Sequence, residues 1–297
     1  TKALAIDPDH DGSMECILDL IQGFSLEDSA GYDKYFLKCK SNNSLLLNKI
    51  ANHFLTNKKP LESLRFREKL LAKLEEQFAT ARRYNMARRD NPDTLVDMKW
   101  ESMRAVLAGD VPIIVNANNA NQIQSAVAFA VRQKVKLIIN GGYDAIYCAE
   151  LLKKHNVPVI LGGVYRTPRR SDDFYDLPYE IPAMLSRRGI QFCISSDGRF
   201  GASMSRNLPY HAGTAAAYGL DPNEALKAVT LYPAQILGVA DRVGSLDIGK
   251  DATLVIANGN ILEIATQVEQ AYIQGRRVDM SDRHKRLWNK YQQRYEK

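Results

Sequence analysis

Histidine is scarce in this chain: five residues, His10, His53, His155, His211 and His284, in 297. A zinc-centred hydrolytic site usually gathers several imidazoles at one mouth, and here there are few to gather. Cysteine is scarce too. Cys16, Cys39, Cys148 and Cys193 show no CxxC and no metal-finger spacing, which argues against a zinc ribbon or a thioredoxin-type redox motif. Cys148 and Cys193 lie in apolar stretches and read as small buried hydrophobes. No apolar run reaches the roughly 20 residues a bilayer span needs. The opening TKALAIDPDHDG has no signal-peptide apolar core. The expectation is a soluble chain with no membrane role. Its compartment stays open: cytoplasmic, or periplasmic or secreted after removal of a leader.

A strong excess of one charge is missing as well. Lys+Arg 40 against Asp+Glu 34 gives a formal charge of +6 spread along the chain. Arginine pairs recur (Arg82/Arg83, Arg88/Arg89, Arg169/Arg170, Arg187/Arg188, Arg276/Arg277), but acidic residues lie near most of them. Without a basic stripe interleaved with aromatics, no nucleic-acid partner is expected, and the pairs read as solvated surface charge. Three familiar motifs are also absent. There is no GxSxG elbow. GSLDIGKD (Gly244 to Asp251) nearly spells a phosphate loop, but Asp251 stands where Ser or Thr is required and a strand follows in place of a helix. DPDHDG (Asp7 to Gly12) copies half a calcium loop, with Leu18 at the twelfth position where a bidentate Glu is required.

What is present is apolar and periodic. At 45% hydrophobic residues, the chain can bury a large core. Residues 1–60 are irregular in pattern. From Leu61, the spacing of Leu64, Leu70, Leu71, Leu74, Phe78 and Ala81 predicts a long helix ending near Asn91-Pro92. DMKWESMRAVLAG predicts a short one. Four β-branched runs follow, VPIIVNA, VKLIING, VPVILGG and IQFCISSDG, each leading into a helical pattern. Strands apolar throughout, alternating with helices, imply a parallel sheet in a doubly wound or barrel arrangement. The pattern then changes: GSLDIGKDATLVIANGN and QVEQAYIQGRRVD read as strands with glycine turns. The tail SDRHKRLWNKYQQRYEK reads as a helix packed on the domain surface through Leu287, Trp288, Tyr291 and Tyr295. The expected divisions are 1–60, an irregular segment; 61–240, a barrel portion; 241–280, strands of a small sandwich; and 281–297, a C-terminal helix.

Parallel α/β folds place reactive groups at the carboxyl ends of their strands, where loops converge on one mouth. The four strand ends supply Asn116 and Asn118, Asn140 with Gly141 and Gly142, Gly162 with Gly163, and Ser195, Ser196 and Asp197. Four asparagines fall within PIIVNANNANQIQSAV: Asn116, Asn118, Asn119 and Asn121. Helix capping explains one of them readily, and four less so. Asp197 is the leading catalytic candidate. His211, at the start of the next helical pattern, is a ligand-binding candidate with Asn118 and Asn140.

The stretches ISSDG, NLPYHAGTAAAYGLDPNEALKAVTLYPAQILGVADRVGSLDIGKDATLVIANGN and VEQAYIQGRRV resemble the amidohydrolase superfamily, in its imidazolonepropionase-like branch. WESMRAVLAGDVPIIVNANNANQIQSAVAFAV and DMSDRHKRLW fit the same branch, so the resemblance covers roughly residues 60–297. It implies a (β/α)8 barrel of amidohydrolase type with a small β-sandwich. It also implies hydrolysis of C–N bonds in amide-type small molecules by metal-activated water. Asp197 matches the aspartate of the last barrel strand, which binds metal and handles the proton. Asn116 stands where a histidine ligand is expected on the fifth strand, and Asn140 to Gly141 where one is expected on the sixth. Asp9 and Asp11 match the two slots of the first-strand His-x-His.

The implied metal set is therefore Asp197, Asn116, Asp9 and Asp11. These oxygen donors suit magnesium, manganese or calcium better than zinc, and no tightly bound ion is expected. Between Gly12 and Pro60 there is too little chain for strands two to four, since a full barrel needs about 200 residues or more. The expectation is a barrel incomplete on its N-terminal side: the later part of a longer protein, a barrel completed by a partner chain, or a reduced fold, with a homo-oligomer or such a partner chain as the expected assembly. The alternative function is a non-catalytic relative, or a partner subunit, that binds a polar ligand in an asparagine-lined mouth without zinc.

Overall fold

The computed structural model describes residues 60–196 and 203–295. The chain divides into two compact units, Thr1–Arg104 and Ala105–Lys297. In the first, helix α1 (Pro60–Asp90) forms as expected and ends at the predicted break. Phe78 and Ala81 are buried, whereas Leu71 and Leu74 remain largely exposed. The predicted single helix after it is two, α2 (Met98–Glu101) and α3 (Met103–Ala108). Asp97 caps α2 by accepting the Lys99 N–H at 2.9 Å.

The second unit holds the four strand-then-helix repeats. Strand β1 (Ile113–Ala117) leads to α4 (Ala120–Gln133), and β2 (Leu137–Gly141) to a 3-10 turn (Ala145–Cys148) and α5 (Ala149–Lys154). Strand β3 (Val159–Leu161) leads to α6 (Leu177–Arg187). Strand β4 (Phe192–Ile194) precedes α7 (Leu208–Ala217), α8 (Pro222–Ala228) and α9 (Leu231–Ile236). The four strands form one parallel sheet in the order β1-β2-β3-β4, the arrangement that continuous apolar runs require.

Because strand side chains alternate, each strand feeds two faces. On one face Leu137, Ile139, Val159, Leu161, Phe192 and Ile194 pack into the main core with Ile123, Val127 and Ala130 of α4 and with Ile181 and Leu185 of α6. On the other, Ile138 and Cys193 pack with Ile160, Ile236 and Tyr232. The register Asn116↔Asn140↔Ile160↔Cys193 runs across that second face as one rung. This half of the architecture is TIM-barrel-like.

Strands β5 (Leu254–Ala257), β6 (Val268–Ile273) and β7 (Arg276–Arg277) form a separate antiparallel sheet. The GSLDIGKD segment lies before it as turns, with Lys250 Nζ against Asp247 at 3.1 Å. The C-terminal helix α10 (Arg283–Tyr295) forms as expected, but its packing does not. None of its residues is buried, and Trp288 and Tyr295 are 64% and 86% exposed. The apolar side seen in the sequence therefore has no covering surface among the described residues. The expectation of a helix packed on the domain is corrected.

Candidate functional site at the carboxyl ends of the strands

Asn116 and Asn140 are in-register neighbours on β1 and β2, at the carboxyl ends of the strands. Their side chains meet: Asn140 Nδ2 donates to Asn116 Oδ1 at 2.7 Å. Parallel pairing makes this unavoidable, since residues opposite each other point to the same face. Asn118 goes elsewhere. Its amide lies over Gly141, where any Cβ would sit 2.7 Å from Asn118 Oδ1, and Gly141 has φ +105°. That close approach, together with the positive φ, is why glycine stands there. Asn118 Oδ1 is buried and has no hydrogen-bond partner among the described residues.

The remaining two of the four asparagines belong to the start of α4. Asn119 is its N-cap residue, and Gln122 Oε1 reaches back to accept the Asn118 and Asn119 N–H groups at 3.0 and 3.1 Å. This is half of a capping box. So capping accounts for Asn119, strand pairing for Asn116, and the closeness of Gly141 for Asn118.

His211 sits inside the first turns of α7 and is 7% exposed. Its Nδ1 accepts the Val164 N–H at 3.2 Å, and its ring stacks on Tyr165 with centroids 4.2 Å apart. In that arrangement Nδ1 carries no proton, and its lone pair is used. A Cβ on Gly163 would stand 2.8 Å from His211 Cε1, so the exit of β3 must be glycine for the imidazole to fit. His155 caps α5 and lines a cleft at the opposite, amino-terminal ends of the strands.

The structure adds a network that the sequence reading missed. Asp144, 5% exposed, accepts the Ala120 N–H at 3.1 Å, and its own N–H donates to the Asn118 carbonyl at 2.8 Å. Arg170 grips the same carboxylate with both terminal nitrogens, at 3.0 and 2.8 Å to Oδ1. Arg170 Nε also lies 3.3 Å from Asp173, which accepts the Tyr143 hydroxyl proton at 2.8 Å.

Burial works to raise the Asp173 carboxyl. The bonds from Tyr143 and from the Arg170 N–H, and the Arg170 charge, outweigh it and hold the group below the usual carboxylate range. Burial pushes the Tyr143 phenol up, so it remains a proton donor. The Arg169/Arg170 pair was read as solvated surface charge; for Arg170 that is corrected, since it clamps a buried carboxylate and thereby joins the loops after β1, β2 and β3. The signal in the sequence was opposite charge in successive strand-end segments, GGYDA and RRSDD.

Asp197, Asp9 and Asp11 lie outside the described residues. Among those described, no group of three His, Cys, Asp or Glu side chains comes together as a metal site. The strand ends offer neutral amides bonded to each other, and the nearby imidazole spends Nδ1 on a backbone N–H. The described residues therefore do not fit a zinc ion, whose usual donors are imidazole, thiolate and carboxylate. Cys193, on the same sheet face, is no substitute: burial pushes its thiol up to about 12.

A family model described as the amidohydrolase family matches residues 129–278. An imidazolonepropionase of Mesorhizobium japonicum is 30% identical over 147 residues, which cover 49% of this chain and 32% of that protein. An imidazolonepropionase of Erwinia tasmaniensis is 40% identical over 110 residues, 36% of this chain and 25% of that protein. The crystal structure of an amidohydrolase from Thermotoga maritima MSB8 superposes with a TM-score of 0.63 at 27% identity, covering 74% of this chain and 60% of that one. The chain thus spans about a third or less of the length of these curated relatives.

Proposed function

The chain belongs to the amidohydrolase family as an imidazolonepropionase-like member, and from that membership we propose that it is part of a (β/α)8 barrel acting on C–N bonds of small amide-type molecules. The family match across the parallel sheet and its mouth carries this reading. In it, the ligand lies at the carboxyl ends of β1 to β4. The Asn116–Asn140 rung offers the second N–H of Asn140 and the N–H pair of Asn116, which have no acceptor among the described residues, to a carbonyl oxygen. Asp197, at the exit of β4, is the group proposed to take a proton from attacking water. The family is generally metal-dependent. Any divalent ion here would rely on oxygen donors such as Asp197, Asp9 and Asp11, with magnesium or manganese preferred over zinc.

A second reading is favoured by one observation. The two amides stand where histidine ligands are expected and are joined by one hydrogen bond at 2.7 Å. That supports a relative that binds a polar amide without metal and without turnover.

The test is a panel of N-acyl amino acids and cyclic amides, assayed for hydrolysis and for binding with and without manganese. Manganese-dependent turnover that disappears in Asp197→Asn supports the hydrolase. Binding that Asn116→Ala weakens by about tenfold, with no turnover, supports the metal-free binder. A chain that neither binds nor cleaves any of them would refute both readings.

A further inference from the structure

Helix α10 (Arg283–Tyr295) carries five basic side chains, Arg283, Lys285, Arg286, Lys290 and Arg294, and no Asp or Glu. None of its residues is buried, and Leu287, Trp288, Tyr291 and Tyr295 are all exposed. At about 100° per residue, these four fall within one arc of about 100°. His284 shares that arc one turn earlier. Arg283, Lys290 and Arg294 line one margin of it, and Lys285 the other. Lys290 Nζ and the Arg294 guanidinium carbon stand 5.9 and 6.0 Å from the Tyr291 ring centroid, so cations border the aromatic side directly.

The acids nearest in the sequence are Asp279, Asp282 and Glu296. Asp279 accepts the Ser281 N–H and Asp282 the Lys285 N–H, at 2.8 Å each. The helix surface is therefore cationic, and a clustered apolar side left in water marks a contact with something else. Its charge calls for an anionic occupant. A second copy of the same helix would bring like charges together. The aromatic side also changes character with depth: Trp288 carries an indole N–H, and Tyr291 and Tyr295 end in hydroxyls. Such rings suit the headgroup level of a bilayer better than a dry protein groove. Basic margins around a Trp, Tyr and Leu face are the pattern of helices that lie in the plane of that interface.

We propose that α10 docks on a membrane surface of anionic phospholipid. Leu287, Trp288, Tyr291 and Tyr295 enter the headgroup layer, and Arg283, Lys285, Lys290 and Arg294 meet the lipid phosphates and carboxylates. The lack of a spanning run, which led to the expectation of no membrane role, bears only on crossing a bilayer. A helix of 13 residues, about 20 Å long, lies flat on the surface without one. None of the strand-end residues takes part, so docking here is independent of what the mouth binds.

The test is co-sedimentation of the full chain with vesicles of phosphatidylcholine alone and of phosphatidylcholine mixed with phosphatidylserine. Binding to the mixed vesicles only, weakened by added salt, is expected. Trp288→Ala is expected to weaken it about tenfold, and Trp288→Phe to recover most of the loss. Lys290→Gln and Arg294→Gln should each weaken it about fivefold. These side chains are exposed, so the thermal midpoint should hold in every variant. Equal binding to neutral vesicles, no binding to mixed ones, or variants that bind like the parent chain would overturn the proposal. So would a lipid-free dimer that Trp288→Ala dissociates, or double-stranded DNA held with the same dependence on Trp288.

Discussion

At the scale of single residues, the mouth is controlled by glycines and by one buried carboxylate network. Gly141 combines φ +105° with Asn118 at 2.7 Å from where a Cβ would sit. Gly141→Ala is therefore expected to cost about 1–3 kcal/mol, read as a lower denaturant midpoint at unchanged slope. Asp173 gives a pH prediction. Its folded-state carboxyl is held below its ordinary value, so the stability it contributes is fully present above about pH 4, its unfolded range. That contribution is lost as pH falls through the lower folded value. Asp173→Asn should remove this part of the acid dependence. Parallel stability-versus-pH curves for the two proteins below pH 4 would contradict the network as described.

At the scale of elements, the parallel sheet is held mainly by its helix-facing side. Ile139 is fully buried at the centre of β2 and packs in the main core. Ile139→Ala should lower stability by about 2–5 kcal/mol, with the cavity left behind adding to the lost transfer energy. Helix α10 is the counter-case. It forms from a basic and aromatic repeat but buries nothing among the described residues. Ending the chain after Ser281 should change the thermal midpoint of the second unit little, since stability follows burial and not helical propensity alone. A large drop on that truncation would show that the helix has a covered face.

At the scale of the molecule, the family match and the TIM-barrel-like sheet point the same way. The second sheet face carries the Asn116 rung, with Ile114 54% exposed beside it. This is the face that a closed barrel would turn inward. Metal content is a whole-molecule readout. Purified protein dialysed after zinc supplementation is expected to retain far less than one equivalent by elemental analysis, because the described strand ends offer amides and not imidazoles. Retention of a full equivalent that Asp197→Ala abolishes would reverse that conclusion.

The amino-acid sequence by itself determined the four repeats, the parallel sheet and the positions of its strand ends. Each follows from local period, and apolar runs broken by Gly, Asn and Pro leave few alternatives. It also predicted Cys148 and Cys193 as buried. Only the tertiary structure decided what the asparagines do. Asn116 finds Asn140 through a strand pairing 24 positions away, and His211 finds the Val164 N–H across 47. The Arg170 clamp likewise depends on Asp144 being carried to it by a neighbouring strand. Periodicity reports which face a side chain occupies. Which partner it meets there is set by register and by loop closure between strands, and those are properties of the folded sheet.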